Sequence, residues 1–516
     1  MQIYSNKIFG QPVEIIEAFS DLREAFGKIE NLRKKYYLLG FINYDFNYLY
    51  FEVFDKFNTY TQNPPKILGT ILNPKISKQN YCENIKKIKE YISSGVTYEV
   101  NYTYPIDVRT NLDGIDLYEA ILPKQKTPYN AFIQTPKLNL LSFSPELFFK
   151  IQGRKIFTKP MKGTIPRGKD PNEDEVQKDF LYNDIKNRAE NIMIVDLLRN
   201  DLGRISKAGS VEVTKLFDIE THPTLFQMTS EIQSELEDNI TLYDIFRAIF
   251  PCGSITGAPK VSTMKVINEL ESFNRNIYCG AIGFLSPDEC EFSVPIRILY
   301  GKNYCYTYHT GGAVVWDSDE ENEWDETVTK SKIIHSDYNL IETAVDDWKS
   351  HVLRMKNSAK ELGFLWNEEI ENLKIPNEKI LRVELKKSGE YEVTTKVLNK
   401  IKSNKIKIRG RVNSNNPFLY HKTTIRASSP DDVFDEIRVN ERGEITEGTF
   451  TNIAVEIGGK LFTPTLTSGL LNGTLRQKLL LKGVIEEKIL YPEDLKNADR
   501  LFCFNSVRKM VEVVLC

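Results

Sequence analysis

The stretch NLLSFSPELFFKIQGRKIFTKPMKGTIPRG (139–168) decides how the chain is read. Its first half is a β-rich apolar run, and similar runs recur at YYLLGFINYDF (36–46) and CGAIGFLS (279–286), separated by helical patterns. Such alternation predicts an α/β (α+β) class with large sheets. The second half carries chemistry. Lys162, flanked by Pro160 and Gly163, is either a surface charge or a buried amine whose pKa falls until it becomes nucleophilic. Glu146 lies sixteen residues upstream, a hairpin-like separation that can bring a general acid beside Lys162.

Outward from this stretch, a helix is expected to start after Asp170–Pro171, with Pro in the first turn, and to run as one element through DEVQKDFLYNDIKNRAENIMIVDLLRNDL (174–202). Within it Glu190 stands among Ile192, Met193, Ile194 and Val195, where a carboxylate is costly unless paired or bound to a cation. A second helix candidate, EENEWDETVTKSKIIHSDYNLIETA (320–344), crosses a change of style near residue 338. There Glu323 and Glu326 share a face, with Lys330 one turn on. These carboxylates can form a hard oxygen site of the kind Mg²⁺ prefers. The plainer alternative is a salt-bridged face, with Glu190 paired to Arg188.

Two glycine-bearing loops add anion-binding candidates: FPCGSITGAPK (250–260), with Ser254, Thr256 and Lys260, and YHTGGAVVW (308–316), with Gly311 and Gly312 at an expected strand end. Each can equally be a plain tight turn. A Walker P-loop is absent.

The chain has 516 residues, enough for about three folding units or two large ones. Its 68 basic and 71 acidic residues give a net charge of −3, which announces neither a nucleic-acid nor a membrane surface. Seven cysteines without metal spacing fit reduced thiols, and no apolar run reaches the roughly 18 residues of a membrane helix. A cytoplasmic protein is expected.

SPELFF, PMKGTIPRG, RAENIMIVDLLRNDLGR, FPCGSITGAPK, CGAIGFLSP and GGAVVWDSDEENEWDET, in this order, resemble the chorismate-utilising enzymes related to anthranilate synthase component I. The PxKGT form, with Lys162 where anthranilate synthases carry Ala, points within that family to the aminodeoxychorismate synthases. The resemblance implies Mg²⁺ on Glu190 and Glu326 with Glu323 nearby, and Lys162 as nucleophile with Glu146 as acid. It further implies that Arg297, Gly311 and Gly312 hold the enolpyruvyl carboxylate of chorismate, with Ser254, Thr256, Lys260 and Lys330 completing the pocket. Departures are Glu99 in TYEVN, where the family carries Gln and packing beside the site would be perturbed, and Phe226–Gln227 in HPTLFQM (222–228), so no catalytic His is assigned. None of the cysteines has a glutaminase elbow, so ammonia comes free or from a separate glutaminase subunit.

From about residue 340 the style changes. Lys422 in FLYHKTTIRAS follows an aromatic strand end, Glu447 lies at a turn into a strand, and GLLNGTLRQKLL (469–480) places Gly473 and Thr474 at a helix start suited to phosphate. Taken singly, these are a surface lysine, a turn glutamate and a helix cap. With HVLRMKNSAKELGF, FDEIRVNERGEITEGTFTNI and FNSVRK they resemble the class IV pyridoxal-phosphate enzymes. That resemblance implies Lys422 as the Schiff-base lysine, Glu447 at the pyridine nitrogen, and Arg354, Thr474, Leu475 (by its backbone) and Ser506 on the phosphate.

The expected architecture is an anthranilate synthase component I-like β-sandwich flanked by helices, followed by a trimmed D-amino acid aminotransferase-like domain. The boundaries are 1–75 for a short N-terminal part, 76–338 for the chorismate-binding domain, 339–412 for a small subdomain and 413–516 for the cofactor-binding one. The joint expectation is amination of chorismate followed by cleavage to 4-aminobenzoate, with a homodimer formed through the last domain. The rivals are an anthranilate-type synthase fused to an aminotransferase, or an active synthase with a non-catalytic C-terminal docking module.

Overall fold

In the strands Tyr129–Gln134 and Asn139–Ser144, successive side chains point to opposite faces. Ala131, Ile133 and Leu140 enter one core, while Phe132, Leu141 and Phe143 enter another. Both faces of the sheet are therefore covered, which is why the run reads as continuously apolar. The computed structural model describes residues 1–221, 225–426 and 432–516. Among these, two ten-stranded sheets pack face to face. The stacking of Tyr4 on Phe284, with ring centroids 5.2 Å apart, joins one sheet to the other.

The first 75 residues supply strands to both sheets. Gln2–Tyr4 and Lys7–Phe9 extend the first, beyond Tyr129–Gln134, and Glu14–Phe19, Tyr37–Ile42 and Tyr48–Phe54 edge the second. The helices Lys78–Ser93, Gly114–Ile121 and Lys260–Leu270 cover the outer face of the first sheet. Leu242–Ile249 packs against Arg23–Leu32, with Phe246 and Phe26 5.1 Å apart at their centroids.

The single helix expected from 171 to 202 is two, Pro171–Asn183 and Ile185–Gly203. Asp184 breaks it: its backbone is extended (φ −66°, ψ 115°), and its side chain accepts from the Asn187 amide as the cap of the second helix. The start is as expected, with Asp170 capping and Pro171 in the first turn. The stretch 320–344 likewise divides into a helix Glu320–Ser331, a 3₁₀ turn and a strand Leu340–Ala344.

That strand opens a three-stranded sheet with Lys379–Leu385 and Tyr391–Val397, covered by the helix Trp348–Leu362. A seven-stranded sheet follows, and Lys405–Arg411 already belongs to it, so the passage between the two sheets falls at 398–404 and not at 412. The C-terminal third packs closely on the rest. A Cβ on Gly69 would stand 2.2 Å from Ile425 Cδ1, and Ile71 joins the core around Trp348 and Phe418. Among the described residues, no helix is long and apolar enough to cross a membrane.

Candidate active sites

The strand Met161–Pro166 pairs with Leu225–Glu235, but the register shifts between Met161 and Thr164. Gly163, at φ +76°, lets the chain bulge there, and the bulge re-aims Lys162. Gln227 fastens the turn by donating to the Gly163 carbonyl and accepting from Thr164 Oγ1, both at 2.6 Å. The HPT of HPTLFQM lies outside the described residues.

Lys162 faces a cavity of ≈ 870 Å³ lined also by Glu146, Glu190, Ser254, Arg297, Gly311, Glu323, Glu326 and Lys330. Glu146, 4% exposed, accepts from Ser254 Oγ at 2.5 Å. Burial raises its carboxyl to about 7, against the lowering effects of Ser254 and the Lys162 charge. It can therefore hold a proton near neutrality. Arg297 sits at φ +54°, and its guanidinium has no hydrogen-bond or ion-pair partner among the described residues. A cation left open on a cavity wall suits an anionic ligand.

Other expectations need correction. Lys260 does not line the cavity; its Nζ donates to Asp201 Oδ2 (2.5 Å) and to the Ile249 carbonyl (2.9 Å). Asp201 is 2% exposed at the end of its helix and requires that charge. Thr256 is fully buried, with its hydroxyl turned back to the carbonyls of Cys252 and Gly253. Gly311 and Gly312 lie within the strand Cys305–Val314, in register with Thr103 and Tyr102, and not at an open turn. They admit close neighbours, since a Cβ on Gly311 would stand 2.3 Å from the Tyr102 carbonyl oxygen, and one on Gly312 3.1 Å from Glu323 Oε2.

The three candidate metal ligands share the cavity wall. Glu190 has no ion pair to Arg188, whose guanidinium lies over the Phe217 ring at 4.6 Å. Burial, with Glu99 and Glu323 adding, raises Glu190 to about 7 against Lys162 and Lys186. Glu323 accepts from Ser318 Oγ (2.6 Å), and Glu326 pairs with Lys330 (2.7 Å), which also reaches the Gly311 carbonyl (2.9 Å). Among the described residues no preformed cluster of three ligands exists. Burial and neighbouring carboxylates push Glu190 and Glu323 up, whereas burial of Glu326 is outweighed by Lys330 and its other basic neighbours, which hold it below its usual range. A set of hard carboxylate oxygens of this kind nevertheless suits a divalent cation.

A second cavity of ≈ 520 Å³ is lined by Lys422, Arg354, Arg382, Arg426, Glu447, Asn452, Gly473, Thr474 and Ser506. Burial lowers Lys422 to about 8, with Arg354, Arg426 and Arg382 assisting and only Glu342 opposing. Such an amine is reactive near neutrality. Thr474 and Leu475 open the helix Thr474–Leu481, and the Leu475 side chain packs against Phe502 and Phe504. Glu447 accepts from Arg426 (3.0 Å) and Asn452 (3.2 Å). An enclosed amine, an acidic group and a helix start under Arg354 fit pyridoxal phosphate. Two residues here escaped sequence reasoning. Glu342, 1% exposed, holds Arg354 and His351, and Arg426 holds Glu447; a lone acid in the strand LIETA was the available signal for the first.

The family model for chorismate binding enzymes matches residues 57–336, and that for class IV amino-transferases matches residues 404–516. Aminodeoxychorismate synthase component 1 of Escherichia coli is 41% identical over 256 residues, 49% of this chain and 56% of that one. Its Bacillus subtilis counterpart is 36% identical over 268 residues, 52% and 57% respectively. The chain thus spans little more than half the length of the curated relatives it matches. Anthranilate synthase component I from Streptococcus pneumoniae shares the fold, with a TM-score of 0.57 over 65% of this chain and 92% of that one at 21% identity. The chain belongs to the chorismate binding enzyme family and carries a class IV amino-transferase domain behind it.

Proposed function

We propose that the N-terminal two-thirds aminates chorismate to 4-amino-4-deoxychorismate and that the C-terminal third cleaves this product to 4-aminobenzoate and pyruvate. The observation that carries the reading is a buried lysine sharing one cavity with a carboxyl group that stays protonated near neutrality, Lys162 and Glu146. The named relatives support the choice of substrate.

In this mechanism Arg297 holds a substrate carboxylate. Lys162 Nζ adds at ring C2, the ring double bonds shift, and the C4 hydroxyl leaves as water with the Glu146 proton. Ammonia then adds at C4 and the lysine departs from C2. Mg²⁺ held by Glu190, Glu323 and Glu326 would supply a Lewis acid for the ring carboxylate. Ammonia comes from solution or from a separate glutaminase subunit.

In the second cavity Arg354, Thr474, Leu475 and Ser506 would hold the phosphate of pyridoxal phosphate, and Glu447 its pyridine nitrogen. The cofactor supplies an electron sink. Lys422 Nζ takes the C4 proton of the aminated ring, and a proton returns to the enolpyruvyl carbon as pyruvate leaves. The two catalytic regions occupy one chain, which raises the local concentration of the intermediate.

Purified protein given chorismate and ammonium should yield 4-aminobenzoate, and Lys162→Ala should abolish formation of the aminated intermediate while cofactor binding persists. Anthranilate as the product, or unchanged turnover in Lys162→Ala, would overturn the reading.

A further inference from the structure

Glu99 and Lys162 form an isolated pair behind the wall of the first cavity. Lys162 Nζ donates to Glu99 Oε1 at 2.6 Å, and the carboxylate side chain is wholly buried. Glu99 Oε2 has no hydrogen-bond partner among the described residues. Glu99 does not itself line the cavity, so it reaches the substrate space only through the lysine. Its position is fixed by backbone. Glu99 opens the strand Glu99–Thr110 against Gly257–Ala258, and a Cβ on Gly257 would stand 1.9 Å from the Glu99 carbonyl oxygen.

A lysine so held is an ammonium, with no lone pair for attack. Burial alone would push Lys162 down, but the charges of Glu99 and Glu190, the Glu99 hydrogen bond and the charge of Glu146 outweigh it and hold the group above its usual range. The other charged groups around the pair are Glu326 and Lys186. Of the carboxylates among the described residues, Glu99 alone lies within 4 Å of Lys162 Nζ. Moving the proton between them turns a buried ion pair into two neutral groups, which costs less once substrate has displaced water.

We propose that Glu99 is the internal base that takes the Lys162 proton before attack and returns it when the lysine is released. The proposal rests on Lys162 being the nucleophile. The Nζ–H bond breaks, its electron pair stays on nitrogen, and an O–H bond forms on Glu99. When the lysine leaves C2 as a free amine, Glu99 gives the proton back and the starting pair is restored. No proton enters from solvent or leaves to it in this exchange.

The test is the ratio of variant to wild-type kcat at each pH on the full chain, with chorismate and ammonium, which cancels the titration of ammonium. Glu99→Gln installs the residue that the family resemblance places there, so the fold tolerates it, but an amide takes up no proton. Lys162 must then lose its proton to solvent. Between about pH 5.5 and about pH 7, where Glu146 is protonated, the Glu99→Gln ratio should start at least about thirtyfold down and rise about tenfold per pH unit, with KM for chorismate unchanged. Glu99→Asp keeps a carboxylate, so its ratio should be flat with pH even where kcat is lower. A merely structural ion pair predicts a flat ratio for both variants. A flat Glu99→Gln ratio near one, with Lys162→Ala inactive, overturns the Glu99 base alone, as does a sloped ratio in Glu99→Asp. Full activity in Lys162→Ala overturns both the base and the nucleophile it serves.

Discussion

Lys422 Nζ stands 3.8 Å from Glu342 Oε2, a carboxylate that also receives His351 at 2.6 Å and Arg354 through two bonds of 2.7 Å. One buried anion thus holds the proposed phosphate-binding arginine and opposes the forces that drive Lys422 down. Glu342→Gln removes that opposition, leaving burial and three guanidinium groups to lower Lys422 below about 8. Incorporation of pyridoxal phosphate, fixed by borohydride at each pH, should then reach half-maximum at lower pH than in wild type. Arg354 also loses its counter-charge, a cost of about 3 kcal/mol for a broken buried pair, read as a lower urea midpoint. Burial pushes the Glu342 carboxyl up, but Arg354, Lys422 and His351 more than offset it and hold it far below the usual range. Its stabilising contribution is therefore complete above pH 4.5, the ordinary carboxylate value, and fades on further acidification. An unchanged pH profile for cofactor capture would count against this arrangement.

The proton on Glu146 sets a second pH dependence. With its carboxyl raised to about 7, mainly by burial, the acid form is lost as pH rises through neutrality. At constant free ammonia, kcat for the aminated product should fall on the alkaline side of about pH 7. Ser254 donates to the charged form and so holds the value down. Ser254→Ala should move the alkaline limb to higher pH, whereas movement to lower pH would mean that Ser254 favours the neutral acid.

Lys260 offers a contrast between binding and stability. It is committed to Asp201, so Lys260→Met should leave KM for chorismate within about twofold while costing about 3 kcal/mol, because the buried carboxylate loses its hydrogen-bonded partner and keeps only the more distant Arg204, at 4.0 Å. Urea denaturation measures the second effect. A large rise in KM with normal stability would return Lys260 to the substrate site.

What the sequence revealed and what it hid follow from the range of the forces involved. The apolar period of Asn139–Ser144 and the Asp170–Pro171 start of a helix are local and were readable. The break at Asp184 is equally local, but a capping side chain inside a good helical pattern looks like one more polar residue. The partners of Lys162, Lys260 and Arg354 lie 63, 59 and 12 residues away, brought near only by sheet pairing and helix packing. Motif matching therefore pointed to Lys162 and Lys422, each of which lines a cavity, and did not point to Glu342. It also gave Lys260 a role that the fold assigns elsewhere, and it treated Glu99 only as an irregularity. Gly311 and Gly312 illustrate the same limit. A glycine pair reads as a turn until the sheet shows that the neighbouring strand and Glu323 need the space.

Arg297 is unfavourable to the protein without a ligand. Its backbone is in the left-handed region, at φ +54°, which costs an L-residue about 1 kcal/mol, and burial lowers its guanidinium while no carboxylate among the described residues answers it. A residue kept at such a cost is explained by what it binds. Arg297→Gly removes both the strain and the unpaired charge. The ligand-free variant should be no less stable than wild type, and more stable by about 1 kcal/mol if glycine's greater freedom in the unfolded chain does not cancel the relief. The same change should raise KM for chorismate by about 10- to 100-fold, the value of a charge-assisted bond to a carboxylate. Measuring denaturant stability and KM on the same preparation separates the two effects. A variant that loses stability and keeps its KM would show that Arg297 serves the fold rather than the substrate.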